Sequence, residues 1–391
     1  MAMTYTVISA DGHLEIPSNA FVKWVPEKYR DRAPKLVKLD SGGEAWHIEG
    51  MPLLQNGPNI NGGVAETTPE KFKYRGASYW DEKGNPSPGT GSPQQRLREQ
   101  DADGIDAEVL FPPVFAAKFM VGIRERLVYL AMVQAYNNFL AQEYCAFAPD
   151  RLIGSAVLPE TNVYDAIAEM LRVKKLGLRS VTLNNWPNGG GVPKAEDDKF
   201  WAAAIDSEVR LSPHLNFGAM APPYLDIAAG RIPGDESAHI FSMKGFPPTY
   251  TVGLLVTTGV FDRFPKLKLY FAETNAGWIP YWFQSLDASY LRTRHWYKLS
   301  LPVMPSEYIR QHIFFSFVAD QLAIDLRHLI GIDNLMWGSD FPHLVCTYPL
   351  TKQLLPKMFA GVPESEKQKI LLDTPIKFLG LHAEKQLTKT A

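Results

Sequence analysis

The chain has 391 residues, 46% apolar and 21% charged, the balance of an ordinary globular protein. Its formal charge of −2 leaves no surplus of Lys and Arg to neutralise phosphates, which argues against a nucleic-acid binder. Its two cysteines, Cys145 and Cys346, supply neither a disulfide framework nor a zinc–thiolate site.

No basic and apolar leader follows Met1, and no apolar run has the length of a membrane span. A cytoplasmic protein with no membrane partner is therefore expected. In chain order, short apolar, β-rich runs recur at Thr4–Ala10, Ala107–Phe111, Leu152–Leu158, Leu178–Leu183, Val209–Pro213, Leu267–Ala272, Ile313–Phe317 and Leu335–Gly338. Helix-like stretches fall between them at Arg124–Phe147, Val163–Leu176, Lys199–Ser207 and Thr249–Phe261, with a terminal helix at Ser365–Leu379. In the first of these, Leu127, Leu130, Val133 and Leu140 are read as the apolar face. Apolar strands alternating with helices predict an α/β fold, a distorted (β/α)8 TIM barrel.

One barrel is expected over residues 1–381, with a flexible tail at 382–391. Two stretches interrupt the repeat: an insertion at 18–100 and a lid-like loop at 216–247. Both leave from the C-terminal ends of strands, the face that carries chemistry in a barrel, and loops of this length serve as lids or binding loops.

The strand ends carry the informative side chains. The first run stops in Asp11-Gly12-His13, the fifth in Pro213-His214, the sixth in Glu273, and the eighth in Gly338-Ser339-Asp340. Asp and His offer oxygen and imidazole nitrogen to a borderline divalent ion. In an extended segment residues i and i+2 face the same way, so Asp11 and His13 can grip one ion from one strand end. First and last strands are neighbours in a closed barrel, which would bring Asp11, His13 and Asp340 together. Asp11, His13, His214 and Asp340 are thus expected to hold one divalent ion, zinc first and manganese as the alternative. His343 and, in the lid-like loop, His239 are further candidates: the first shuttles a proton, binds a substrate carboxylate or only supports the donors, and the second is a solvent-facing loop residue or completes the site on closure. Glu15 is read as a packing or supporting residue.

The segments Ala10-Asp11-Gly12-His13-Leu14-Glu15-Ile16-Pro17, Phe264-Pro265-Lys266-Leu267-Lys268-Leu269, Gly277-Trp278-Ile279-Pro280 and Trp337-Gly338-Ser339-Asp340-Phe341-Pro342-His343 resemble the amidohydrolase superfamily, in the branch related to aminocarboxymuconate-semialdehyde decarboxylase. The resemblance implies a distorted barrel with one metal ion, and homodimers, the commonest symmetric assembly. It matches Asp11 and His13 to a first-strand ligand pair, His214 to the fifth-strand ligand, and Asp340 to an aspartate that ligates the metal or transfers a proton. Many relatives carry His where this chain has Glu273. A carboxylate there can act as a base, a substrate contact or a partner that orients His214.

Aromatic residues near the proposed loops (Trp46, Phe115, Phe119, Trp186, Phe241, Phe246, Trp278 and Trp282) suggest an apolar pocket for a small aromatic or apolar substrate. Metal-dependent, non-oxidative decarboxylation of a small aromatic or unsaturated acid by a carboxy-lyase is the leading expectation. Glu273 tilts toward the alternative, hydrolysis of an ester, thioester, amide or C–C bond by a metal-activated water. A non-catalytic binding or scaffold barrel is the remote third.

Overall fold

The computed structural model describes residues 4–17, 19–38, 44–51, 54–55, 78–81, 83–215, 217–218 and 246–381. An eight-stranded parallel sheet runs in sequence order through β1 (Ile8–Ser9), β2 (Ala107–Leu110), β3 (Leu152–Val157), β4 (Ser180–Leu183), β5 (Arg210–Pro213), β6 (Leu269–Phe271), β7 (Ile313–Phe317) and β8 (Leu335–Trp337). All eight coincide with apolar runs of the sequence. The sheet curls until its ends meet: Ala10 N–H donates to the Trp337 carbonyl at 2.9 Å, Asp340 N–H donates to the Asp11 carbonyl at 2.9 Å, and Gly12 bridges to Phe341. The fold is a (β/α)8 barrel.

Alternation along the strands separates two apolar layers. Ile8, Ala107, Val109, Ile153, Tyr270 and Met336 form the inner cluster, closed at one end by Phe378 and Leu379. Leu110, Leu152, Val181, Leu211, Phe271 and Phe315 belong to the larger cluster under the helices. The inner layer also holds hydroxyls that satisfy one another: Ser155 lies 2.8 Å from Thr182 and 3.1 Å from Ser180, which lies 2.9 Å from Ser212.

Several helices differ from the sequence expectation. The first is α-helical only over Arg126–Phe139, then widens into a π turn at Leu140–Tyr144 and tightens in a 3-10 turn at Cys145–Phe147. Its inner face is set by Val128, Met132 and Val133, while Leu127, expected inside, is 59% exposed. The helix expected at Thr249–Phe261 is two, Phe246–Thr257 and Val260–Arg263, separated at Gly259, whose φ of 70° is left-handed. The terminal helix is interrupted by a π turn at Lys369–Asp373.

The stretch 18–100, unassigned in the sequence, holds a small antiparallel sheet of Lys35–Lys38, Glu44–His47 and Leu54–Gln55. It ends in the helix Pro93–Asp103, delimited by sharp local signals. Ser92 caps it by accepting from Gln95 N–H, Pro93 occupies its first turn, and Gly104 stops it at a φ of 84°.

Candidate metal centre

Strand ends place the expected residues. Asp11 and His13 follow β1, His214 follows β5, Glu273 lies just past β6, and Asp340 and His343 follow β8. Glu273 and Asp340 both turn out of their strands with left-handed backbone, φ of 58° and 56°. Non-glycine residues adopt that region at a cost, so the surroundings must hold them there. For Asp340 the holding contacts are visible: its N–H is tied to Asp11, and the Ser339 N–H donates to Ser9 Oγ at 2.8 Å. The Tyr270 hydroxyl, reaching across the interior, donates to the Ala10 carbonyl at 2.9 Å.

The side chains then converge. His13 Nε2 stands 3.3 Å from Asp340 Oδ1 and 3.8 Å from Asp11 Oδ1, and His214 Nε2 stands 3.5 Å from Asp11 Oδ1 and 3.9 Å from Glu273 Oε2. Asp11, His13 and His214 form one set whose donor atoms lie within 4.8 Å of one another, and His13, Glu273, Asp340 and His343 form a second. Phe111 walls the site, with its ring centroid 4.7 Å from that of His214 and 5.9 Å from that of His13.

These donors suit a divalent ion. Both His13 ring nitrogens, His214 Nε2 and both Asp340 oxygens are buried without a hydrogen-bond partner among the described residues. Buried polar atoms rarely stay so. They stand near one another yet are not aligned to hydrogen-bond, as expected of ligands aimed at a shared centre. Donors about 2.0–2.2 Å from one ion stand roughly 3–4 Å apart, the spacing observed here. Burial also keeps the imidazoles neutral. It pushes His13 down to about 3, with the His343 charge adding to the effect, and pushes His214 down to about 4 against the opposing pull of Glu273 and Asp340. A neutral imidazole is the form that binds metal.

His343 is different. Its Nδ1 lies 3.3 Å from Asp340 Oδ1 and its Nε2 3.2 Å from Glu15 Oε1, and its ring stacks on His13 at 3.7 Å. Burial opposes its charge, but Asp340 and Glu15 outweigh burial and push it up to about 10. Despite burial, His343 and His13 together hold Asp340 well below the usual carboxylate range. Glu15, read from the sequence as support, is the buried partner of His343, and the Tyr79 hydroxyl reaches it at 3.5 Å.

A model of the family described as "Amidohydrolase" matches residues 79–381. The chain belongs to the amidohydrolase family. Within the superfamily this amidohydrolase falls in the branch related to aminocarboxymuconate-semialdehyde decarboxylase, and membership makes it an enzyme. It is 26% identical to gamma-resorcylate decarboxylase of Rhodococcus jostii over 71% of its own length and 85% of the relative's. Its fold is similar to that of an amidohydrolase from Mycobacterium avium subsp. paratuberculosis (TM-score 0.73, 21% identity, 97% of this chain and 100% of the other). It is likewise similar to 5-carboxyvanillate decarboxylase from Novosphingobium aromaticivorans, solved with manganese and 4-hydroxy-3-methoxy-5-nitrobenzoic acid (TM-score 0.64, 16% identity, 96% of each chain).

Other expectations fare variously. His239 lies outside the described residues, as do Phe241 and the Phe246 side chain. Of the aromatic set, some of which were expected to be core, Trp46, Phe115 and Trp186 are: Trp46 stacks on Phe115 at 3.9 Å, and Trp186 packs on Phe217 at 5.1 Å. Sequence reasoning missed Arg96 and Glu108, whose buried pair lies behind the donors. It also missed Glu160, beyond β3, where burial raises the carboxyl and Asn185 donates to it at 2.8 Å. A glycine between two ligand-type residues was the one available signal for Glu108, because Gly12 leaves the room that carboxylate fills.

Proposed function

We propose that the protein is a divalent-metal-dependent carboxy-lyase that removes CO2 from a small aromatic or unsaturated carboxylic acid. Asp11, His13, His214 and Asp340 would hold the ion, with Glu273 beside it. Zinc suits the mixed nitrogen and oxygen donors, and manganese suits the carboxylate share. When bound, the ion would fix the substrate's oxygens and draw electron density toward them.

The observation that carries the reading is the chain Glu15–His343–Asp340, an imidazole between two carboxylates with one end at the donor cluster. Loss of CO2 breaks a C–C bond and leaves its electron pair on the substrate carbon, which must then take a proton. The 3.3 Å contact from His343 Nδ1 to Asp340 Oδ1 is not aligned as a hydrogen bond here, but catalytic contacts of this kind tighten when substrate binds. A proton held on His343 Nδ1 would then pass through that oxygen to the carbon, with Glu15 stabilising the imidazolium. His343 is then reloaded from solvent. The decarboxylase activity of the relative from Rhodococcus jostii supports the same direction.

Hydrolysis remains a second reading on one observation. Glu273 Oε2, 3.9 Å from His214 Nε2, puts a third carboxylate at the site, where it can accept a proton from water. Assay of the metal-loaded protein against hydroxybenzoic and methoxyhydroxybenzoic acids and activated esters separates the two. CO2 release from an acid, lost on the order of 10²-fold or more in Asp340→Asn, is expected. Ester turnover without CO2 release would establish hydrolysis instead. The protein is further proposed to be a cytoplasmic homodimer with one barrel over 1–381, the oligomer being read by sedimentation; most of the loop expected to be lid-like, 216 and 219–245, and the tail 382–391 lie outside the described residues. Among the described residues no helix is long and apolar enough to cross a membrane.

A further inference from the structure

The ends of β1 and β8 carry Asp11, His13 and Asp340, and neither segment by itself sets the distance between these donors. Behind them lies a charged pair out of water. Arg96, on the helix Pro93–Asp103, donates from Nε to Oε2 of Glu108 on β2 at 2.8 Å, and each residue is 1% exposed. Gln100 Nε2 donates to the same oxygen at 3.1 Å, and Ser339 Oγ donates to Glu108 Oε1 at 3.3 Å. Arg96 Nη2 donates to the Phe341 carbonyl at 2.9 Å, and the guanidinium lies over the Phe341 ring at 4.4 Å. That carbonyl also accepts from the His13 N–H at 2.7 Å. Gly12 passes against Glu108 so closely that a Cβ would stand 2.2 Å from Oε1.

One ion pair therefore touches Gly12, between Asp11 and His13, and both Ser339 and Phe341, on either side of Asp340. Replacing a buried ion pair by an apolar pair of similar volume is often neutral or stabilising, because desolvating two charges is costly. What charges add is direction: a planar fork and a carboxylate fix the neighbours they bond. We propose that Arg96 and Glu108 are positioning residues of the metal centre, holding the β1 and β8 donors at coordinating separation without touching ion or substrate. This rests on the metal-dependent reading above.

The test compares wild type with Arg96→Met/Glu108→Gln, which removes both charges together. Metal-free proteins are titrated with Co(II) against a competing chelator, the d–d absorption spectrum is recorded, and the metal-free Tm is measured. Co(II) affinity at least tenfold weaker, with a shifted spectrum and a fold that still melts cooperatively, is expected. A merely structural pair would at most change Tm and would leave the spectrum of the bound ion as it was; affinity within twofold and a superimposable spectrum overturn the assignment whatever the Tm. Should the double variant fail to fold, Arg96→Lys keeps the charge but has no fork to span Glu108 and Phe341. It is expected to fold and shift the spectrum in the same sense, and an unshifted spectrum again overturns the assignment. Wild type that binds no Co(II) overturns the metal-dependent reading and this assignment with it. Binding indifferent to both variants overturns the assignment alone.

Discussion

His343 and Glu15 lie 328 residues apart in the chain, yet Nε2 of one stands 3.2 Å from Oε1 of the other. The carboxylate belongs to the segment that leaves β1 and the imidazole to the loop that follows β8. Barrel closure makes the pair, and through it a buried imidazole is held beside Asp340, 3.3 Å from Nδ1 to Oδ1.

Replacing that carboxylate separates proton handling from metal binding. In Glu15→Gln, His343 loses one of the two anions that stabilise its charged form, so its pKa falls from about 10. If the protonated imidazole is the working form, activity is lost as pH rises through that value, and the alkaline limb of kcat moves to lower pH. A fall in kcat on the order of 10²-fold at constant metal content is expected. Pre-steady-state assays with metal analysis check it, and an unmoved limb would remove His343 from the proton path.

Metal removal should be visible in stability as well as activity. An ion bound only by the folded chain at about 100 times its Kd adds ~2.7 kcal/mol. Chelator-treated protein is expected to melt at lower temperature and to recover on adding manganese or zinc. Asp11→Asn and His214→Ala should show little or no recovery, with less than roughly a tenth of an ion per chain by elemental analysis, since each removes one of the four proposed protein donors.

The metal-free protein should respond to acid through His214. Burial lowers its folded-state pKa to about 4 from an ordinary 6.5. Between these values the unfolded chain binds a proton that the folded chain refuses, so stability falls as pH drops through that window. Denaturant unfolding of metal-free wild type at pH 7 and pH 4.5 should show this loss. His214→Asn should show a shallower one, and equal slopes would mean that His214 already carries its proton when folded.

Two glycines test how tightly the strand ends are packed. A Cβ at Gly12 would stand 2.2 Å from Glu108 Oε1, and one at Gly338 would stand 2.4 Å from the Asp11 Cβ. Neither neighbour is a free chain end, so Gly12→Ala and Gly338→Ala should cost about 1–3 kcal/mol and weaken metal binding. Gly191→Ala, with nothing within 4 Å of the added carbon, is the matched control and should do neither.

The barrel was legible because its strands are buried on both faces and so read as apolar runs, as with Leu152–Val157, where all six residues are buried. The helices were less so. Leu127 looks like core in an apolar sequence, but Val128 takes the inner face, because several rotations of an apolar-rich helix satisfy the same pattern. The helix Pro93–Asp103 escaped notice because it has no apolar stripe: its buried residues are Arg96, Gln100 and Asp103. Those polar residues face Glu108 and Thr351 rather than a hydrophobic layer.

What the amino-acid order determined by itself was the inventory and the address: eight apolar strands, and Asp, His or Glu where several of them stop. Residue type and strand register are local properties, set by burial and backbone preference within a few positions. The tertiary structure alone decided that Glu15 meets His343 and that Arg96 and Glu108 stand behind both strand ends. Those pairings depend on how far the sheet twists before its edges meet. That is set by the packing of the whole barrel and leaves no periodic trace in any one segment.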